Sequence, residues 1–273
     1  MPELPEVEQV KKTLLPHIKG KKITQVEVYL DRLIKHPTPE QFVKNLTGRT
    51  IEEVSRRGKY LVLQTGADQK LIVHLRMTGS LVAQASELEA PPYAKIKFVL
   101  SGGVTMWFCD IRTFGTLYLV TNADCYIAGY ETLGPEPLTA GFSPDYLVPI
   151  AAKSRKPIKT LILDQTVIAG LGNIYADECL ALAGILPTRI ANTLTSEEVA
   201  ALHAAANTVI AQGIANRGTT FRDYKDGEGN KGDNQNHLLV YGRGGKPCKT
   251  CGEPLATTKV GGRGTTYCAK CQH

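Results

Sequence analysis

The chain opens with MPELPE, which places a proline and a carboxylate where they could do covalent chemistry together. Removal of Met1 would leave Pro2 as a free secondary amine with Glu3 beside it. An α-amine has a pKa of about 7.7–8.0, against about 10.4 for lysine, so far more of it is unprotonated near neutral pH. Such an amine can attack the C1′ carbon of a sugar, and the resulting iminium cation favours loss of the C2′ proton and of the 3′ phosphate. Two interpretations of this opening remain: a nucleophile at Pro2, or the simpler one that the opening has no chemical role.

Four cysteines near the end of the sequence have the spacing of a metal site. They form two Cys-x2-Cys pairs separated by sixteen residues, namely Cys248, Cys251, Cys268 and Cys271. Each pair lets two sulfurs reach one ion, and four thiolates close a tetrahedral Zn²⁺ site with no open position for catalysis. We predict one structural zinc ion; the alternative is four cysteines that merely lie in a core. The isolated Cys109, Cys125 and Cys179 are predicted to be small core hydrophobes.

The residues between the two cysteine pairs predict a β-hairpin that presents a cation. In residues 259–266 (KVGGRGTT), Arg263 lies at the tip with glycines on both sides. Because glycines have no side chain, such an arginine can approach a phosphate without obstruction.

A second anion-binding pattern lies in the middle of the chain. Residues 169–175 (AGLGNIY) precede a predicted helix, and a glycine-rich turn at a helix start exposes N–H groups that bind anions. Asn173 could cap this helix or donate to a phosphate. Shortly before it, four basic residues occur without an acid: Lys153, Arg155, Lys156 and Lys159. These features favour a polyanionic partner, with a solvated basic face and an ordinary structural turn as the open alternatives.

The composition is that of a globular protein with room for two cores. The chain has 273 residues, 42% of them hydrophobic and 21% charged, and a net charge of +6. From Arg217 to the end, ten basic residues stand against five acidic ones. No stretch has the length of a membrane span, and the start lacks the apolar core of a signal peptide. We expect a cytosolic protein with reduced or metal-bound cysteines.

The first half of the chain must position the N-terminal residues on a β-rich scaffold. A helix is predicted over 6–18, ended by Gly20, with one apolar face formed by Val7, Val10, Leu14 and Ile18. Short β-rich runs follow at 22–30, 59–65, 71–75, 95–100, 104–109 and 115–120, with hairpin turns at 66–68 and 101–103. This spacing predicts an antiparallel sandwich.

The second half has a helical period. Residues 134–137 (GPEP) form a stiff linker, which we predict to be a domain boundary. The Gly-, Asp- and Asn-rich residues 217–236 are predicted to form a mobile loop. Helices are predicted at 143–152, 157–165, 172–183 and 195–216.

Taken together, these motifs resemble the formamidopyrimidine-DNA glycosylases, bacterial enzymes that remove oxidised purines from DNA. The resemblance runs through MPELPEVE, HLRMTGS, DIRTFGT, LGPEPL, AGLGNIYADE, VYGRGGKPC and GRGTTYC, in the order the family has them. It implies an α+β fold in three domains. These are an N-terminal catalytic antiparallel β-sandwich with flanking helices (1–133), a helical helix-two-turn-helix DNA-binding domain with a lesion-covering loop (134–236), and a C-terminal four-cysteine zinc finger on a zinc-ribbon β-hairpin (237–273).

The resemblance also implies roles for four residues in a Schiff-base mechanism. Pro2 corresponds to the nucleophile at C1′, and Glu3 to the proton donor that opens the deoxyribose. Lys59 would assist β-elimination, where an exposed lysine at a strand entry is the alternative. Arg263 would serve the δ-elimination and grip the phosphates beside the lesion.

Three further residues match those that fill the void left by an extruded nucleotide. Flipping a base leaves an unstacked hole and an unpaired partner base, which an apolar wedge, an aromatic ring and a forked donor could occupy. Met77, Phe114 and Arg112 supply these groups; without the resemblance, Met77 and Phe114 would be read as core residues and Arg112 as a surface cation. Thr78 departs from the pattern, because many relatives have an acid there.

Other positions match family contacts to DNA. The loop Gly218–Asn236 corresponds to the segment that closes over the flipped base, with Arg222 and Tyr224 in it. Glu6 is interpreted as a pocket-lining or structural carboxylate, or else as an exposed acid in the first helical turn. His74 is alternatively a strand histidine. The predicted DNA contacts are His74, Tyr93, Arg155, Lys159, Asn173 and Tyr241.

The resemblance therefore implies an enzyme that excises 8-oxoguanine and ring-opened purines from double-stranded DNA and nicks the abasic site by β,δ-elimination. We expect a monomer with one structural zinc ion, working in the bacterial cytosol. Two alternatives remain. One is the sister family of oxidised-pyrimidine glycosylases; the other is a non-catalytic zinc-ribbon protein that binds damaged DNA.

Overall fold

A computed structural model describes all of residues 1–273, and the chain divides into two compact units. The first comprises Met1–Glu131 and Asn216–Asp233, and the second Thr132–Ala215 and Asn234–His273. Residues 216–233, predicted from the sequence to belong to the helical domain, pack with the first unit instead.

The first unit consists of two β-sheets with helices α1 (Leu4–Ile18), α2 (Pro39–Leu46) and α3 (Ala128–Glu131). The sheets have the orders β1-β7-β8-β6 and β2-β9-β5-β4-β3, and every pair is antiparallel except β2–β9. The predicted α+β class and sandwich are confirmed. The strands are β1 (Ile23–Val28), β2 (Ile34–His36), β3 (Glu53–Arg57), β4 (Tyr60–Gly66), β5 (Gln69–His74), β6 (Gly79–Ala85), β7 (Ala94–Leu100), β8 (Val104–Asp110) and β9 (Thr116–Thr121).

Helix α1 is fixed at its start by local hydrogen bonding and along its length by burial. The backbone N–H of Glu3 donates to Glu6 Oε2 at 2.8 Å, the reciprocal half of a capping box. The predicted apolar face is fully buried in the core of the first unit. Burying one such aliphatic side chain contributes about 1.5–3 kcal/mol, so this face orients the helix and with it the N-terminus.

Several elements of the first unit were not predicted from the sequence. Strand β3 carries the charged residues EVSRR and strand β6 begins Gly-Ser, so neither has a β-rich composition. The short strand β2 is held beside β9, and α2 begins at a Thr38 cap that accepts the Gln41 N–H. Each of these depends on packing against neighbours that are distant in sequence, and burial outweighs local propensity there.

The second unit is helical and ends in a two-stranded hairpin. The hairpin strands β10 (Ala256–Val260) and β11 (Arg263–Tyr267) confirm the predicted ribbon. No helix of the chain is both long and apolar enough to cross a membrane. The helices are α4 (Pro144–Lys153), α5 (Ile158–Ile162), α6 (Asn173–Ala183) and α7 (Ser196–Ala215), and α5 is shorter than the predicted 157–165.

Candidate active site and nucleic-acid contacts

The N-terminal residues of the first unit are buried around one carboxylate. Pro2 is buried and Glu3 is 2% exposed, whereas Met1 reaches solvent. Glu6 accepts a backbone N–H on each carboxylate oxygen: Glu3 N at 2.8 Å on Oε2 and Thr219 N at 2.7 Å on Oε1. Glu6 therefore links Glu3, the neighbour of the predicted nucleophile Pro2, to the loop that is predicted to cover a flipped base. Its burial excludes the exposed-acid interpretation.

The loop itself is attached to α1 at several points. The Tyr224 hydroxyl donates to the Glu6 carbonyl at 3.3 Å, and burial raises the pKa of this phenol. Further along, Gly227 N donates to Thr13 Oγ1 at 2.8 Å. Gly218 has φ +80°, and a Cβ there would lie 3.0 Å from the Glu6 side chain, so glycine is required for the close approach.

A cavity of about 450 Å³ opens between this loop and the strands β6 and β8. The exposed Arg222 lines it from the loop, Thr78 and Tyr93 line it just before β6 and β7, and Asp110 lines it at the end of β8. Its size lies within the range of small-ligand pockets. Tyr93 is 57% exposed and has φ +61°.

Lys59 lies in the two-residue turn between β3 and β4. Gly58 takes φ +57° there, and its carbonyl accepts a hydrogen bond of 2.9 Å from the Arg56 guanidinium, which also donates to Glu8 at 3.0 Å. Lys59 is only 6% exposed, so it is not the solvated lysine that the sequence left as an alternative. The turn presents this ammonium at a fixed place on the first unit.

His74, at the end of β5, is a neutral imidazole. Burial, with smaller contributions from Arg76 and Lys59, lowers its pKa to about 3. Its Nδ1 accepts the Arg76 N–H at 2.9 Å, which assigns the proton to Nε2. His74 is therefore both a buried strand histidine and a side chain with one N–H left to donate.

Met77, Arg112 and Phe114 are all exposed, although a methionine and a phenylalanine usually enter a core. Met77 is 40% and Phe114 51% exposed. The Arg112 guanidinium lies 4.7 Å from the centre of the Phe114 ring, in cation–π contact. The alternative that Met77 and Phe114 are core residues is wrong.

In the second unit, Arg263 is exposed next to the hairpin turn. Gly261 and Gly262 have φ +55° and +75°, as the tight turn requires. The carbonyl of the following residue, Gly264, accepts two hydrogen bonds, from Lys159 Nζ at 3.0 Å and Asn173 Nδ2 at 2.9 Å. The backbone next to Arg263 is thus held by side chains far away in the sequence.

The prediction that Lys159 contacts DNA is wrong for this structure. Its side chain is 0% exposed and its ammonium lies 2.6 Å from Asp177 Oδ1, with a further bond of 2.8 Å to Thr265 Oγ1. Burial raises the pKa of Asp177 to about 6, while Lys159 opposes the rise. From the sequence, a lysine at the end of an acid-free run is predicted to be a surface cation. In the fold, its position on α5 places its ammonium against the hairpin.

Of the other predicted contacts in this unit, Arg155 is exposed and Tyr241 is half-buried. Tyr241 is held by Glu178, whose carboxylate accepts N–H groups of residues 239–241 at 2.6, 2.9 and 2.8 Å. The Asn173 amide donates a hydrogen bond to Gly264 of the hairpin, and the Asn173 Oδ1 is buried without a hydrogen-bond partner. Sequence reasoning missed Asp177 and Glu178; two adjacent acids in a helix with an otherwise apolar sequence were the available signal.

The four paired cysteines form a zinc-finger site. Their sulfurs lie within 4.8 Å of one another, as one tetrahedral ion requires. Backbone N–H groups of Cys251 and Thr250 lower the pKa of the Cys248 thiol to about 6, whereas neighbouring sulfurs raise that of Cys271 to about 12. Four thiolates this close need a cation, so the donor set suits one structural zinc ion.

Three family models match most of the chain. Residues 1–117 match the formamidopyrimidine-DNA glycosylase N-terminal domain, 133–225 its H2TH domain, and 245–273 the zinc finger found in FPG and IleRS. A formamidopyrimidine-DNA glycosylase from Moorella thermoacetica is 50% identical over 256 residues, which cover 93% of each chain.

Solved structures of the Lactococcus lactis Fpg are similar in fold. Its complex with DNA containing N7-benzyl-Fapy-dG has a TM-score of 0.92 at 37% identity, covering 100% of both chains. Its complex with DNA containing an abasic site also has a TM-score of 0.92 at 37% identity, covering 99% of both.

Proposed function

The chain belongs to the formamidopyrimidine-DNA glycosylase family, and we propose that it excises oxidised purines from double-stranded DNA and then cleaves the abasic site. The substrates would be 8-oxoguanine and formamidopyrimidines. The observation that carries the proposal is the buried Pro2-Glu3 terminus, fastened through Glu6 to the loop beside a cavity. Relatives bound to Fapy-dG and abasic-site DNA support the same chemistry.

Base extrusion comes first in this proposal. Met77 and Phe114 would enter the stack in place of the flipped nucleotide, and the Arg112 guanidinium would donate to the base left unpaired. The exposure of all three side chains supports this role, because each is available before DNA binds. Arg222 and Tyr224 belong to the loop that would cover the flipped base.

Excision then uses the terminal amine. Once Met1 is removed, the Pro2 nitrogen bonds to C1′ as the N-glycosidic bond breaks and the base departs. Glu3 gives a proton to the ring oxygen, so the sugar opens and the nitrogen becomes an iminium cation. An amide nitrogen has no available lone pair, and the reaction therefore requires a free Pro2.

Strand cleavage follows from the iminium. It acidifies the C2′ proton, whose loss expels the 3′ phosphate, and a second elimination expels the 5′ phosphate. Lys59 would assist the first elimination and Arg263 the second. Both are held on tight glycine-containing turns, which fixes where each cation can meet a phosphate.

The remaining predicted contacts would position the DNA backbone. Neutral His74 can donate only through Nε2, whereas Arg155 can form a charge-assisted bond to a phosphate oxygen. Tyr93, Asn173 and Tyr241 complete the proposed contacts. The zinc ion would hold the hairpin that carries Arg263 and take no chemical part.

Borohydride trapping tests the proposal. Protein mixed with an abasic or 8-oxoguanine duplex should give a reduced covalent adduct whose peptide maps to Pro2. The matched control carries an N-terminal extension that a protease can trim to leave Pro2 first: the extended form should not trap, and trimming should restore trapping.

Two outcomes would contradict the proposal. Tight, salt-dependent DNA binding without an adduct would favour the non-catalytic binding module, and faster excision of thymine glycol than of 8-oxoguanine would favour the pyrimidine-directed sister family. Mass spectrometry that finds Met1 on the active protein would exclude Pro2 as nucleophile. We place the enzyme in the bacterial cytosol as a monomer, where its DNA substrate lies.

A further inference from the structure

Met77, Arg112 and Phe114 lie on two separate turns, between β5 and β6 and between β8 and β9. For them to enter one gap in a base stack, the two turns must keep a fixed separation. The structure connects the turns through Asp110, a carboxylate that is 0% exposed at the end of β8.

Asp110 uses both of its oxygens on these turns. Its Oδ2 accepts Gly115 N at 2.8 Å, and its Oδ1 accepts the Thr78 hydroxyl at 2.6 Å. The Thr78 oxygen in turn accepts the Arg112 N–H at 2.9 Å, which is shared with Asp110 Oδ1 at 3.2 Å. The Thr78 hydroxyl, on the turn between β5 and β6, therefore donates to Asp110 and accepts from the backbone of Arg112, on the turn between β8 and β9.

A hydroxyl fills both roles with a single atom at this position. It carries one proton to give and lone pairs to receive, whereas an ionised carboxylate only accepts and an alkyl group does neither. The first turn is closed by a tight backbone contact. Gly79 N donates to Leu75 O at 2.9 Å, and a Cβ on Gly79 would lie 2.4 Å from that oxygen. The position of Met77 is thus coupled to that of its neighbour Thr78.

We propose that Thr78 is a positioning residue that couples the two turns, so that Met77, Arg112 and Phe114 enter the base stack as one unit and Arg112 reads the opposite base in a fixed register. The inference rests on the proposed function, since it assigns a specificity role within the same reaction. Thr78 touches neither the sugar nor the phosphate in this proposal and acts through Arg112.

The test is single-turnover excision of 8-oxoguanine placed opposite cytosine and opposite adenine. Thr78→Val removes the hydroxyl and should slow excision opposite cytosine about tenfold, because one hydrogen bond to a charged network is lost. It should also reduce the preference for cytosine over adenine as the opposite base. Thr78→Ser should restore both rate and preference. Thr78→Ala provides a second hydroxyl-free variant should valine disturb folding, which thermal unfolding reports.

A double-variant cycle separates this role from general destabilisation. In an Arg112→Ala background, Thr78→Val should no longer change the cytosine-over-adenine preference, because the side chain that reads the opposite base is gone, whereas the effect on rate through Met77 and Phe114 should remain. An unchanged base preference in both hydroxyl-free variants, or a preference that Thr78→Val still narrows in the Arg112→Ala background, would overturn the inference while wild-type excision continues. Absence of excision and trapping in the wild type would instead overturn the proposed function, and the inference with it.

Discussion

The two units hold their predicted catalytic residues through hydrogen bonds of opposite polarity. In the first, the Glu6 carboxylate accepts N–H groups from Glu3 and from Thr219 of the loop. In the second, Lys159 and Asn173 donate to the carbonyl of Gly264, next to Arg263. In both, a side chain forms hydrogen bonds with the backbone at or next to a predicted catalytic residue.

The two anchors differ in the sequence distance between the bonded residues and in the desolvation cost of burying them. Glu6 is three residues from Glu3, so a capping box already present in α1 does part of the work. Lys159 is 105 residues from Gly264 and needs a buried partner, Asp177, to offset its desolvation. In the first unit the bond from Glu3 is local and supported by helix formation, whereas the bond from Lys159 in the second unit joins residues far apart in sequence and needs a charge pair.

We expect the largest effect from a substitution that breaks the metal site of the second unit. Cys268→Ser should abolish zinc binding and unfold the hairpin, because structural zinc contributes about 10 kcal/mol or more of folding free energy. Zinc content by elemental analysis and DNA affinity should both fall. Cys125→Ser, outside the cluster, is the control; full zinc content in Cys268→Ser would refute the assignment.

Lys159→Met removes the buried cation and leaves Asp177 unpaired. We expect a loss of about 3–5 kcal/mol in unfolding free energy by urea titration, and Lys159→Met with Asp177→Asn should recover much of it. Lys153→Met, at an exposed position, should cost little. If Lys159 met a phosphate instead, the salt dependence of DNA binding would drop by about one charge with little loss of stability.

In the first unit, Glu6→Gln should be less severe. One of the two N–H groups would then face the amide NH₂, at a cost of about 3 kcal/mol in a buried site. Hydrogen exchange at the Thr219 amide should accelerate and excision should slow. Glu40→Gln, at an exposed position on α2, is the control, and unchanged exchange at Thr219 would show that Glu6 does not fasten the loop.

The smallest effect concerns pH and His74. Its folded pKa of about 3 lies below the unfolded value near 6.5, so the neutral ring supports the fold above pH 6.5 and this support is lost as pH falls towards 3. Between pH 7 and pH 5 the loss should be about 2 kcal/mol. His74→Asn should remove this part of the pH dependence, whereas His237→Asn should keep it. Equal pH profiles for wild type and His74→Asn would contradict the assignment.

Much of the fold was predictable because its signals are local. The α1 face, the six β-rich runs, the glycine turn of the ribbon and the cysteine spacing each follow from neighbouring residues. Strands β3 and β6 escaped prediction because a charged or glycine-containing strand is stabilised by the partners it pairs with. Residue type alone did not predict that Met77 and Phe114 are exposed.

By itself the sequence determined the predicted reactive terminus, the metal ligands and six of the strands, since these depend on residue identity and short spacing. Only the tertiary structure decided that Lys159 is buried against Asp177 and that Thr78 bridges two turns. The reason is physical: the partners of a side chain are set by which surfaces the core brings together, and burial then decides whether a charge meets solvent or a counter-charge.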